Sequence, residues 1–133
     1  MVSRSRGDVV LCDLAGEADP DGRLLGSLDQ IVAVIDPLPS KMLSGYELLC
    51  KLKFLETKGS AVIYVISRMN RGVNRRQMLD YLKTPKPFFL PFINPEHIYT
   101  AEYNCKIPYT VNEVKSALQK PLGEIAAALL CSE

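Results

Sequence analysis

The run Asp8-Val9-Val10-Leu11-Cys12-Asp13-Leu14-Ala15-Gly16 decides how the rest of the chain is read. Four consecutive apolar residues, opened by Gly7-Asp8 and closed by Asp13, have the length and pattern of a short strand buried on both faces. Such a strand places Asp13 at its carboxyl end, where open α/β sheets keep their ligand-contacting groups. Gly16, three residues on, lets a loop backbone approach a ligand closely. A hydrophobic strand that delivers a carboxylate into a glycine loop is how nucleotide hydrolases hold magnesium, directly or through water. The same pattern also arises where a parallel strand simply ends in Asp.

Composition sets the frame around this stretch. The 133 residues give one domain with a real core, since single domains most often run to roughly 100–150 residues. A hydrophobic content of 47% with 23% charged residues describes a globular chain and argues against disorder. The formal net charge of +1 provides no global drive toward nucleic acid or an anionic membrane. The longest apolar runs, residues 31–35 and 61–66, are strand-sized and too short to span a bilayer. The basic head, residues 1–6, is not followed by a signal-type apolar region, so a cytoplasmic location is expected. Cys12, Cys50, Cys105 and Cys131 lie far apart with no C-x-x-C pair, and Cys12 and Cys50 read as small hydrophobes among apolar neighbours. His97, the single histidine, has no neighbouring Cys or His to complete a zinc site and is expected to be exposed or to cap a helix.

Downstream, strand and helix patterns alternate. Residues 31–35 form a second apolar run, stopped by Asp36-Pro37-Leu38-Pro39, because prolines cannot continue a ladder. Ser40 reads as an N-cap and 41 to about 58 as one helix, with Met42, Tyr46, Leu49 and Lys53 beside Leu43, Cys50 and Phe54 giving an apolar stripe. Gly59 stands where a C-cap glycine belongs. Residues 61–66 form a third strand leading into the loop Ser67-Arg68-Met69-Asn70-Arg71-Gly72. A helix over 73 to about 83 and a short strand at 88–90 follow, then the loop Pro91-Phe92-Ile93-Asn94-Pro95. Helices are expected over 96–103, from 111 or 112 to 118, and over 122–131. The class is α/β, with a mostly parallel sheet and right-handed crossovers.

Taken in order, these motifs resemble the carboxyl-terminal half of the MinD/ParA family of P-loop ATPases. The stretch from Val9 to Asp13 with Gly16 is similar to the family's Walker B strand and switch loop, and 31–40 to its next strand and proline-containing helix entry. The loop 67–72 resembles the T-R-Y-N-P-G-like loop of some MinD proteins, and Pro91-Phe92-Ile93-Asn94-Pro95 the family's I-P-x-D loop. The segment 101–108 is similar to its A-x-x-x-G-x-P segment, so the likeness covers nearly everything from Asp8 onward. It implies a partial Rossmann-like P-loop NTPase fold, with ATP and magnesium as cofactors in cell division, partitioning or cellular positioning. Asp13 would help hold magnesium and Gly16 would free the switch loop, while Ser67, Arg68, Asn70, Pro91, Phe92, Ile93 and Asn94 would border the adenine.

The departures are equally specific. Neither G-x-x-x-x-G-K-[ST] nor the family's K-G-G-x-x-K variant occurs, so the Walker A loop, its strand and its helix have no counterpart here. In the family that strand lies between the two matched by 9–12 and 31–35, so a gap of roughly 10 Å between these strands is implied. The chain is therefore expected to be inactive alone, with a Walker A half, a homo-oligomer partner or a protein activator as its complement. Cys105 stands where relatives carry Gly, and Phe92 replaces a small apolar residue. The last apolar segment carries no Lys or Arg, so the basic amphipathic membrane anchor of some MinD proteins is not expected. The alternative is a non-catalytic interaction module that kept the scaffold, with Arg68, Arg71, Arg75 and Arg76 meeting an acidic partner or a nucleic-acid backbone, or forming an ordinary solvated face. A receiver-domain likeness, with Asp13 as phosphoacceptor, fails because later strands end at Asp36 and Ser67 and no lysine ends the strand after that.

Overall fold

Three of the four expected strands pair into one parallel sheet in the computed structural model, which describes residues 9–14, 23–84 and 86–131. The order is β1 (Gln30–Ile35), β2 (Ala61–Met69), β3 (Phe88–Pro91), with β2 in the middle. Gln30 pairs with Ala61 and Ile35 with Ile66, while Ile66 pairs with Phe89 on the other side. Tyr64, Val65 and Ile66 are buried in succession, as a strand covered on both faces requires. Parallel pairing obliges each connection to cross over, and helices fill that role.

One face of the sheet is covered by α1 (Pro39–Ser44), α2 (Tyr46–Thr57) and α3 (Arg75–Leu82). Ile31 and Tyr64 pack with Leu52 of α2 and with Leu25 from a 3-10 turn at Leu25–Ser27. Ile66 packs with Met78 and Leu82 of α3. Beyond the sheet come α4 (Pro95–Tyr103), a 3-10 turn at Pro108–Thr110, and α5 (Asn112–Leu130), which lies against β3. The side chain of Gln30 donates to the Leu129 carbonyl at 2.9 Å, tying the far end of α5 to the start of β1. Among the described residues no helix is long and apolar enough to cross a membrane.

Four local expectations are corrected. Val9 to Asp13 forms no strand; Val9, Val10 and Leu11 are exposed, Leu11 by 87%, and only Leu14 packs against the core. A buried-type strand holds only where a neighbour supplies its ladder, and β1 presents no partner to this segment. The long helix is two helices, because Gly45 closes α1 with its N–H on the Lys41 carbonyl and opens α2. That break re-phases the apolar stripe, so Leu43, Tyr46, Cys50 and Phe54 are exposed and Leu48, Leu49, Leu52 and Leu55 face the core. The two final helices are one, running through Pro121, with Val114 and Ile125 buried on either side of the proline. Cys12 and Cys50 are exposed, and all four thiols are free.

Candidate functional site

The carboxyl ends of the three strands converge on a groove of about 660 Å³, within the 300–1,000 Å³ typical of ligand pockets. The loop after β1 contributes Asp36 and its prolines, the loop after β2 contributes Arg68, Asn70 and Gly72, and the loop after β3 contributes Phe92. Parallel topology makes this convergence unavoidable, because every strand exits toward the same end.

Each loop is held by short-range bonds that follow from its sequence. Asp36 Oδ1 accepts from the Leu38 N–H at 3.0 Å, so the carboxylate shapes its own proline-bounded turn. Its Oδ2 takes Arg68 Nη1 at 3.1 Å, clasping the first loop to the second. Ser67 Oγ donates to the Ile35 carbonyl at 3.1 Å, which joins the same two strand ends from the backbone side. Arg68 has φ of +54°, in the left-handed region, where the register of β2 shifts between Ile66 and Met69. Asn70 reaches back with Nδ2 to the Arg68 carbonyl at 2.9 Å, and its Oδ1 accepts from the Gly72 N–H at 2.8 Å. Phe92 N–H donates to the Met69 carbonyl at 2.9 Å and leaves its ring half exposed on the groove. Tyr81 closes the floor, its hydroxyl donating to the Met42 carbonyl at 3.0 Å.

Of the residues expected to border adenine, Arg68, Asn70 and Phe92 line the groove. Ser67, Pro91, Ile93 and Asn94 do not; Ser67 joins two strand ends, Pro91 pairs with Met69 in the sheet, and Asn94 Oδ1 caps α4 through the Glu96 N–H at 3.1 Å. Gly16 lies outside the described residues. Sequence reasoning left Asp36, Gln77 and Tyr81 out of the site, although all three line the groove. Asp36 carried a signal, as the acidic residue ending an apolar run, the very pattern used to select Asp13. The arginines 68, 71, 75 and 76 do not act alike: Arg68 is clasped to Asp36, and Arg75 stacks 4.1 Å above the Phe89 ring. His97 sits half-buried in the first turn of α4, where Asn94 is the cap.

Asp13 is exposed and lines a second cavity of about 460 Å³, which runs along β1. Asp36, Met42 and Tyr81 touch both cavities, so the two adjoin across those three side chains. Among the described residues no three His, Cys, Asp or Glu side chains gather as a metal site. One exposed carboxylate fits magnesium only as a single ligand, with phosphate oxygens and waters completing the octahedron.

No protein-family model matches the chain, and comparison with curated proteins and with solved structures gives no significant match.

Proposed function

We propose that this chain is the base-side portion of a MinD/ParA-like nucleotide-binding domain, in which the carboxyl-edge groove takes the adenosine of ATP. The observation that carries the reading is the convergence of Arg68, Asn70 and Phe92 on one groove at the strand ends. A half-exposed aromatic ring offers a stacking surface for a base, and the guanidinium and carboxamide offer donors to its edge. In this reading Asp13, which lines the adjoining cavity along β1, would face the phosphates and their magnesium. The ion would supply charge neutralisation of the phosphates, with Asp13 holding one of its positions. Asp36 keeps Arg68 pointed and neutralised until a ligand competes for it.

Hydrolysis is not assigned to these residues alone. Phosphoryl transfer depends on a phosphate cradle and its lysine, and that grip must come from another polypeptide segment. The cellular role this reading implies is positioning or partitioning. Titration of the purified chain with adenosine, AMP, ADP and Mg-ATP, followed by amide NMR, tests it. Binding near millimolar strength is expected, with similar affinity across the series and shifts at Arg68, Asn70 and Phe92. No shift at those amides up to 10 mM ligand (about the −2.7 kcal/mol floor of the affinity scale) would refute it, as would tight ATP binding with turnover.

A further inference from the structure

The polar side chains on the carboxyl-edge groove are unevenly committed. Arg68 carries donors alone, and Asn70 is half spent, since its Oδ1 accepts from the Gly72 N–H and its Nδ2 donates to the Arg68 carbonyl. Both Asp36 oxygens are engaged, one by the Leu38 N–H and one by Arg68. Asn74 Oδ1 accepts from the Gln77 N–H at 3.1 Å, and the Tyr81 hydroxyl donates to the Met42 carbonyl. Gln77, in the first turn of α3, lines the same groove with a carboxamide that makes no hydrogen bond among the described residues. It is the one described side chain there with an unused donor beside an unused acceptor.

We infer that Gln77 selects the base, its carboxamide accepting from the 6-amino group of adenine and donating to N7. This rests on the nucleotide reading of the groove and gives a role to a residue that reading leaves idle. The donors of Arg68 and Asn70 alone favour the opposite choice. A 6-oxopurine presents two acceptors on that edge, O6 and N7, and a guanidinium is their usual partner. Preference for adenine needs an acceptor beside a donor, and a free carboxamide supplies both. The amide cannot serve a 6-oxopurine by turning over, because its Oε1 then faces one acceptor or the other. Asp36 meanwhile holds Arg68 at 3.1 Å, which limits its competition for O6. Gln77 is exposed, and the helix cap uses its backbone N–H alone, so α3 does not depend on the carboxamide.

AMP and IMP share ribose and phosphate and differ only in the base, so amide NMR titration of the full chain with each isolates the base contact. Wild type is expected to bind AMP about five- to tenfold more tightly than IMP, the lower end of what a bidentate base contact gives, because the groove is open. Gln77→Met keeps helix propensity and removes both bonds; AMP is expected to fall to the affinity of IMP, with the unfolding transition retained. Gln77→Glu keeps the acceptor and is expected to keep AMP ahead of IMP, which a merely structural role for Gln77 would not produce. 7-Deaza-AMP is expected to bind wild type more weakly than AMP and to match AMP in Gln77→Met. Equal affinity of wild type for AMP and IMP overturns the inference and leaves nucleotide binding standing, as does an unchanged AMP preference in Gln77→Met. Absence of shifts with either nucleotide overturns the nucleotide reading and the inference with it.

Discussion

Arg68 joins backbone strain to the candidate site, and two substitutions there separate the contributions. At φ of +54° a non-glycine residue costs about 1–2 kcal/mol relative to glycine, while glycine's extra freedom in the unfolded chain returns about 0.5–1 kcal/mol of that. Glycine is therefore favoured over alanine at this position by about 0.5–1 kcal/mol. The Arg68–Asp36 pair is solvent-facing, with the arginine side chain 69% exposed, and contributes roughly 0–1 kcal/mol. Arg68→Ala keeps the strain and loses the pair, so it falls below wild type by that roughly 0–1 kcal/mol. Arg68→Gly loses the pair but releases the strain, and returns close to wild type. With a urea slope of about 2 kcal/mol per molar, the two variants differ in midpoint by roughly 0.3–0.5 M. Both remove a charged donor from the groove, and nucleotide binding is expected to weaken about tenfold or more in each. Equal urea midpoints for the two variants would refute the strain argument. Undiminished nucleotide affinity in both would remove Arg68 from the site.

The other predictions concern the scaffold. Ile66 is fully buried between α3 and the sheet, so Ile66→Ala is expected to cost about 2–5 kcal/mol in urea unfolding, whereas Val34→Ala, on the open edge, stays within about 0.5 kcal/mol. A Cβ at Gly123 meets nothing within 4 Å inside α5, so Gly123→Ala is expected to stabilise by about 0.5–1 kcal/mol, read as a raised thermal midpoint. Burial, and then the 3.0 Å hydrogen bond to Glu56, pushes the Tyr64 hydroxyl above its ordinary value of about 10. The unfolded chain then releases this proton first. Stability from Tyr64 is fully present below about pH 10 and falls at up to about 1.4 kcal/mol per pH unit as pH rises further. Urea midpoints at pH 8, 10 and 11 should show that fall in wild type and a flatter course in Tyr64→Phe.

Where sequence signals were local and self-sufficient, they carried through. The runs at β1, β2 and β3 combine β-branched or aromatic content with Pro or Gly punctuation, and each became a strand within a few residues of its expected span. Gly59 takes φ of +95° just beyond α2, whereas Ser40, read as an N-cap, lies inside α1, whose cap position is Leu38. Helix continuity was not legible, because it depends on anchoring outside the segment. Gly45 breaks a helix that periodicity alone would continue, while Pro121 fails to break one whose two halves are held by Val114 and by Ile125 with the Gln30–Leu129 bond. At the site, the loops were found but the roles inside them were not. Asn94, expected at the base, has a carboxamide that bonds the backbone N–H two residues on, and the sequence pattern cannot tell such a cap from a ligand contact.

The segment from Val9 to Leu14 and the edge of β1 are two halves of one physical fact. Strand propensity in a run such as Val9-Val10-Leu11-Cys12 is a preference for a pleated surface with neighbours on both sides, and it has no force where the neighbour is missing. Among the described residues β1 has a ladder on one side alone, and it exposes Val34, as a strand built for burial does when one layer is withheld.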